Sequence, residues 1–283
     1  GGQVTIDLNP TPEQREIVEA LRTALAHEFP VARLRGTDGG AHDARKLPIL
    51  TDLGTWGLAA PERVGGLGLG LVEAMLAGIA FGRHLLTPDA LATLLAARLA
   101  AALGQDRLAQ HIVRGEQRVG LANALDDTPV DQVDGAPVHL VDGEGAPLAL
   151  MWNDHGLLLL HREALQPRSV PATDRSITLQ RGVLQEQAVL GRLTAAESPL
   201  AHEATLLLCA QLLGMAEATR DLAVAYAGTR EQFGRPIGSF QAVKHRCADM
   251  AIGAKALRAQ LGMATLALQG GWPDAALQLD ACR

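Results

Sequence analysis

A chain of 283 residues with a formal net charge of −6, 48% hydrophobic and 20% charged residues, is long enough for two or three packed layers around a sizeable core. The acidic balance, with no sustained Lys/Arg block, excludes a nucleic-acid or anionic-membrane surface, and the most apolar run, Leu206 to Ala216, holds Gln211 and is too short for the roughly 20 residues a bilayer span needs. Cys209, Cys247 and Cys282 are odd in number and far apart, which gives neither a disulfide framework nor a Cys-x-x-Cys metal site; with no charged-then-apolar leader, the cytoplasm is the expected compartment.

In chain order, Thr11-Pro12-Glu13-Gln14 carries a capping Thr, a Pro at the first helical position and a Gln three residues on, which predicts a helix start. Ile17, Leu21, Ala24, Leu25 and Phe29 share one face of that helix at spacings of three and four. A polar, Gly-rich span from Gly36 to Ala44 separates it from a second helix expected over Arg45 to Leu58, after which Pro61 and the run Gly65-Gly66-Leu67-Gly68 force a loop. Helix resumes near Leu71, and the Ala/Leu-rich stretch to Val113 predicts three helices divided near Thr87-Pro88 and Gly104.

From Val119 to about Leu193 the pattern changes to short apolar runs punctuated by Gly, Pro and Asp, among them Val138 to Val141, Leu148 to Trp152 and Gly156 to Leu160. Alternation in Ser176-Ile177-Thr178-Leu179 predicts one more strand, with Arg181-Gly182 as a turn. From Pro199 a single helix runs to about Gly228, with Gly214 placed to let another helix approach closely. A last long helix is expected from Phe240 to Leu268, ended by Gly270-Gly271.

The most specific segment is Arg230-Glu-Gln-Phe233-Gly234-Arg235-Pro-Ile-Gly-Ser-Phe240-Gln241. A planar guanidinium at the end of one helix and an amide on the first turn of the next suit a phosphate pair; taken alone, Arg230 also reads as an exposed arginine near a helix carboxyl-terminal dipole. His202 and His245 lack ligand-spaced partners, so no metal is expected. Trp152 reads first as a sheet-core residue and second as the wall of a ring pocket.

The segment resembles the acyl-CoA dehydrogenase family, whose Arg-x-x-Phe-Gly turn and following Phe-Gln helix lie against the FAD of a neighbouring subunit. Leu53 to Glu62 with Gly65 to Gly70, and Phe81-Gly82-Arg83, are similar to the family's amino-terminal segment and next helix end. The resemblance implies a mainly α fold with a small β domain: helices over 1–117, a divergent β domain over 118–196, and helices over 197–283. It implies FAD contacts from Arg230, Gln232, Phe233 and Gln241, shared across a subunit interface. Where the family has a Thr-Glu-Pro-like segment that holds flavin and thioester, this chain reads Asn123-Ala-Leu-Asp-Asp-Thr-Pro129, and His202 to Thr205 replaces the family's Asp and Arg. The family's catalytic Glu falls after Arg283, so no catalytic residue is nominated.

A kept clamp beside missing chemistry implies a non-catalytic subunit of a heterotetrameric, FAD-dependent acyl-CoA dehydrogenase, an oxidoreductase making α,β-unsaturated acyl-CoA. The resemblance associates such heteromers with bulky steroid side-chain thioesters, and it implies an electron-transfer acceptor. The alternatives are a homo-oligomeric catalytic enzyme and a helical scaffold without flavin.

Overall fold

The computed structural model describes residues 8–35, 46–126, 129–174 and 176–283. The capping box forms: Thr11 Oγ1 accepts the Gln14 N–H at 3.2 Å while Gln14 Oε1 accepts the Thr11 N–H at 2.9 Å, which opens helix α1 (Pro12–Glu28). Leu21, Leu25 and Phe29 are buried, each large apolar side chain contributing about 1.5–3 kcal/mol. The second helix is shorter than its sequence suggests, α2 covering only Pro48–Asp52. Gly54 takes φ +70°, a left-handed turn that ends α2, and Thr55–Gly57 form a separate 3-10 turn. Arg45 and the Gly36–Ala44 span lie outside the described residues.

The Gly65–Gly70 loop folds back on the 57–60 segment, with Leu67 N–H on Gly57 O at 2.8 Å and Gly68 N–H on Ala60 O at 2.9 Å. A Cβ on Gly66 would stand 2.1 Å from Ala60 O, so the glycine serves this close backbone approach. Three helices come next, α3 (Leu71–Arg83), α4 (Pro88–Ala102) and α5 (Asp106–Val113). α4 is buried nearly all round, which places it in the centre of the main core cluster.

The middle of the chain is one seven-stranded mixed sheet: β1 (Val119–Ala124), β2 (Pro137–Val141), β3 (Leu148–Asn153), β4 (Gly156–His161), β5 (Arg168–Val170), β6 (Leu179–Val183) and β7 (Val189–Thr194). Their order is β5-β6-β2-β1-β3-β4-β7, with β1 and β3 parallel and the other pairs antiparallel. The strand expected over Ser176 to Leu179 is displaced, and Arg181-Gly182 lies inside β6 instead of in a turn. Two contacts account for the shift. Asp142 Oδ1 takes the Thr178 N–H at 2.8 Å in place of a strand carbonyl, while Thr178 O keeps a backbone bond from Asp142 N–H at 2.9 Å, and Gly182 faces Leu165 O, which a Cβ would meet at 2.8 Å.

Two 30-residue helices, α6 (Leu200–Thr229) and α7 (Gln241–Gly270), and a short α8 (Ala275–Asp280) complete the chain. α6 packs on α3 through glycines: a Cβ on Gly214 would lie 2.0 Å from Ile79 O, and one on Gly82 would lie 1.8 Å from Gln211 O. Gly214 thus admits α3 without ending α6, and Gly271, with φ +62°, caps α7.

Candidate functional site

α6 and α7 run antiparallel and leave the body as an arm. Between Ala218 and Gly253 Ala227 alone is buried, so the distal halves of the two helices pack on little besides each other. The arm ends in a hairpin, β8 (Glu231–Gln232) paired with β9 (Arg235–Pro236). Phe233 and Gly234 make its two-residue turn with φ +53° and +73°. Such turns want positive φ at both central residues, which glycine supplies freely and phenylalanine only at about 1–2 kcal/mol. Phe233 is nonetheless 92% exposed. A strained, solvent-facing aromatic contributes nothing to this chain's core, and that is the mark of a contact surface.

Arg230 caps α6: its N–H donates to Tyr226 O at 2.8 Å and its carbonyl accepts the Ile237 N–H at 2.7 Å. The backbone is therefore fixed, while the guanidinium is exposed and has no hydrogen-bond or ion-pair partner among the described residues. Phe240 forms a small platform, with the Phe233 ring edge-on at 6.1 Å and the Arg235 guanidinium over its face at 4.2 Å. Gln241 begins α7, whose first turn has no side-chain cap; free N–H groups there favour an anion. Gln232 turns back, its amide donating to Glu231 O at 2.9 Å. Arg230, Phe233 and Gln241 thus sit on one hairpin and its exit, and Gln232 is engaged with its own strand.

A second feature, invisible in the sequence, is a cleft of about 540 Å3 between the sheet and α6, lined by Leu121, Asn123, Trp152, Thr205, Leu208 and Leu212 among others. Trp152 both packs against the core and lines this cleft. Asp154 lies at its edge, paired with Arg283 at 3.2 Å, which holds the carboxyl below its ordinary range. Cys209 and Cys282 also line it. Burial raises both thiols, Cys282 to about 11, so neither is a thiolate at neutral pH. Thr205 offers a hydroxyl bonded to Ala201 O at 3.2 Å, and His202 lies on the same helix; among the described residues no cluster of three metal-ligating side chains occurs. No helix there is long and apolar enough to cross a membrane.

The hairpin and the cleft are far apart. Arg230 lies 18 positions beyond Leu212, the last cleft residue on α6, and at 1.5 Å per residue the separation along the helix is roughly 27 Å.

Residues 11–114 match the amino-terminal domain of acyl-CoA dehydrogenases and residues 193–282 the carboxyl-terminal domain. The chain is 34% identical over 249 residues to the acyl-CoA dehydrogenase FadE34 of Mycobacterium tuberculosis, covering 83% of this chain and 34% of that protein. It is 31% identical over 254 residues to the acyl-CoA dehydrogenase IpdE2 of the same organism, covering 88% of this chain and 74% of IpdE2. It thus spans about a third of one relative and about three quarters of the other. Among solved structures it superposes on the ChsE4-ChsE5 complex from Mycobacterium tuberculosis with a TM-score of 0.79 at 24% identity, over 98% of this chain and 83% of that one. A variant of the Tcur3481-Tcur3483 steroid ACAD gives 0.75 at 28% identity, over 95% and 82%. With both terminal domains matched and IpdE2 aligned over most of its length, the chain belongs to the acyl-CoA dehydrogenase family.

Proposed function

We propose that this chain is the non-catalytic subunit of a heteromeric, FAD-dependent acyl-CoA dehydrogenase, and that its arm grips the diphosphate of an FAD seated mainly in a partner subunit. The observation that carries this reading is the separation of roughly 27 Å along α6 between Arg230 and the chain's own cleft. A cation held that far from its own cleft serves a nucleotide only if the nucleotide belongs to another chain. The features present fit a diphosphate: an unpartnered guanidinium on a fixed backbone, an exposed aromatic, and a helix start without a side-chain cap.

In the assembly, bound flavin supplies the acceptor for the hydride leaving the β carbon of the acyl thioester. Arg230 holds the diphosphate by paired N–H bonds, Phe233 covers the nucleotide from solvent, and the Gln241 amide fixes its orientation. The carboxylate that takes the α proton comes from the partner. In this chain the segment His202 to Thr205, which the resemblance sets against the family's Asp and Arg, supplies neither, and Asp154 is a weak base because Arg283 stabilises its charged form. The names of structural relatives support a paired assembly and a steroid thioester as substrate, since one is the ChsE4-ChsE5 complex and another a steroid ACAD. A separate electron-transfer protein would be the acceptor partner, and the cytoplasm the compartment.

Expression alone is expected to give a colourless, inactive chain, and co-expression with the partner a yellow, active complex; stoichiometric FAD on the lone chain overturns the reading. A homo-oligomeric catalytic enzyme is the second reading, favoured by the cleft with Trp152 in its wall, and FAD on the lone chain together with a Glu in the reading frame after Arg283 would select it. Unchanged flavin in Arg230→Ala would instead leave a scaffold.

A further inference from the structure

At the root of the arm, away from both the hairpin and the cleft, α7 turns a stripe of residues toward the body. Arg258, Gly262, Thr265 and Gln269 recur at spacings of three and four, which puts them on one face of the helix. With Met75 and Leu76 of α3 and the segment 8–14 at the start of α1 they line a cavity of about 330 Å3. The 11 positions from Arg258 to Gln269 span about 16 Å of helix. Over that length the volume leaves a section of about 20 Å2, enough for one unbranched chain and too little for a fused ring system.

The two ends differ in charge. At one, Arg258 gives Nε and Nη2 to Glu217, and its Nη1 has no partner among the described residues. Arg83, Arg220 and Arg258 share two carboxylates there, Glu217 and Asp221, so this network carries one positive charge in surplus. At the other end Gln269 Oε1 accepts the Leu71 N–H at 2.7 Å, close to Glu73, whose carboxylate takes the Gly70 N–H at 2.9 Å and the Gln14 amide at 2.8 Å. Between the ends the wall is apolar, with Met75 and Leu76 buried and Leu8 leaning over Gly262. A carboxylate is therefore drawn to the Arg258 end and repelled from the Glu73 end.

We propose that this cavity binds an unbranched aliphatic carboxylate of medium chain length, its head on Arg258 Nη1 and its chain running past Gly262 toward Gln269. A concave, mostly apolar site with a few placed polar groups is the form that small-molecule pockets take, and the free N–H groups of the guanidinium offer charge-assisted bonds to the head. The ligand class is a free acid: one uncommitted nitrogen and one surplus charge match a single carboxylate, whereas a multiply charged tail needs several donors. The inference goes beyond the proposed function, since it concerns neither the arm tip nor the cleft and holds whichever chain carries the base.

The test is calorimetric titration of the full chain with octanoate, decanoate, dodecanoate and decanol, each below its aggregating concentration, for wild type, Gly262→Leu and Arg258→Gln. Wild type is expected to bind one acid per chain, with affinity rising about fourfold per added methylene until the chain outruns the cavity, and to bind decanol about tenfold more weakly than decanoate. Gly262→Leu fills the cavity: a Cβ there meets Leu8 Cδ2 at 3.4 Å, an ordinary contact, and leucine favours helix over glycine. Its thermal midpoint should equal or exceed that of wild type while the affinity for every acid falls about tenfold or more. Arg258→Gln should bind decanoate no better than decanol; if that variant fails to fold, Gly262→Leu and the decanol comparison still decide. No decanoate binding to wild type, equal binding to Gly262→Leu, decanol as tight as decanoate, or uptake of several acids per chain would each overturn the site. Flavin retention in the co-expressed complex separates the two ideas: it depends on Arg230 in the proposed function and is expected to be untouched by Gly262→Leu.

Discussion

Glu217 on α6 receives both arms of the Arg258 fork on α7, Nε and Nη2 each at 2.7 Å, and meets Arg83 of α3 at 3.4 Å. Its side chain is 7% exposed, so a buried carboxylate is compensated from two helices at the root of the arm. Arg83 in turn reaches Asp221 at 2.7 Å, which extends the network one turn further along α6.

Removing that carboxylate should loosen the arm from the body. Glu217→Ala is expected to lower stability by about 1.5–3 kcal/mol, the range for hydrogen bonds to charged groups, and to raise hydrogen exchange first in α7. An exchange pattern unchanged from wild type would show that the network does not anchor the arm.

The α3–α6 contact sets a second test. Gly214→Ala would improve helix propensity by about 1 kcal/mol but drive a methyl group into Ile79 O at 2.0 Å. Overpacking of about 1–3 kcal/mol should win, and the denaturant midpoint should fall. A rise would mean that the helices part freely.

At the hairpin, strain and function pull in opposite directions. Phe233→Asn places a residue tolerant of positive φ at a position with φ +53°. The variant chain is expected to melt at the same temperature or higher, while flavin retention in the co-expressed complex falls. Arg230→Lys should also fail to retain flavin fully, because an ammonium is a point charge and not a planar fork. Both are read from the absorbance of the purified complex.

The thiols give a pH dependence with a defined sign. Cys282 titrates near 11 in the folded chain, above its unfolded value, so the folded state holds its proton longer. The associated stability is fully present below the ordinary thiol range and is lost as the pH rises toward about 11. Cys282→Ala should flatten that alkaline decline, and urea midpoints measured across the range would reveal it. At neutral pH both Cys209 and Cys282 should react slowly with a thiol reagent.

Much of the helical framework was readable because its determinants are local. Thr11 and Gln14 write their own cap, and the unbroken run from Leu200 to Thr229 admits little besides a long helix. The α2 break at Gly54 was harder, since glycine inside a helical pattern reads equally as tolerated or terminal. The position of β6 was hidden for a different reason: Thr178 is held by Asp142, 36 residues away, and no window of sequence contains both. The site divides in the same way. The Arg230 segment is contiguous, so its motif is visible, whereas the cleft draws on β1, β3, α6 and the residues after α8.

The length of α6 has a genetic consequence. On the proposed reading, a lesion at the arm tip leaves this chain folded but empties the nucleotide site of its partner, so the defect shows in a protein whose own gene is intact. An added copy of this chain with a sound arm should restore the flavin, and an added copy of the partner should not.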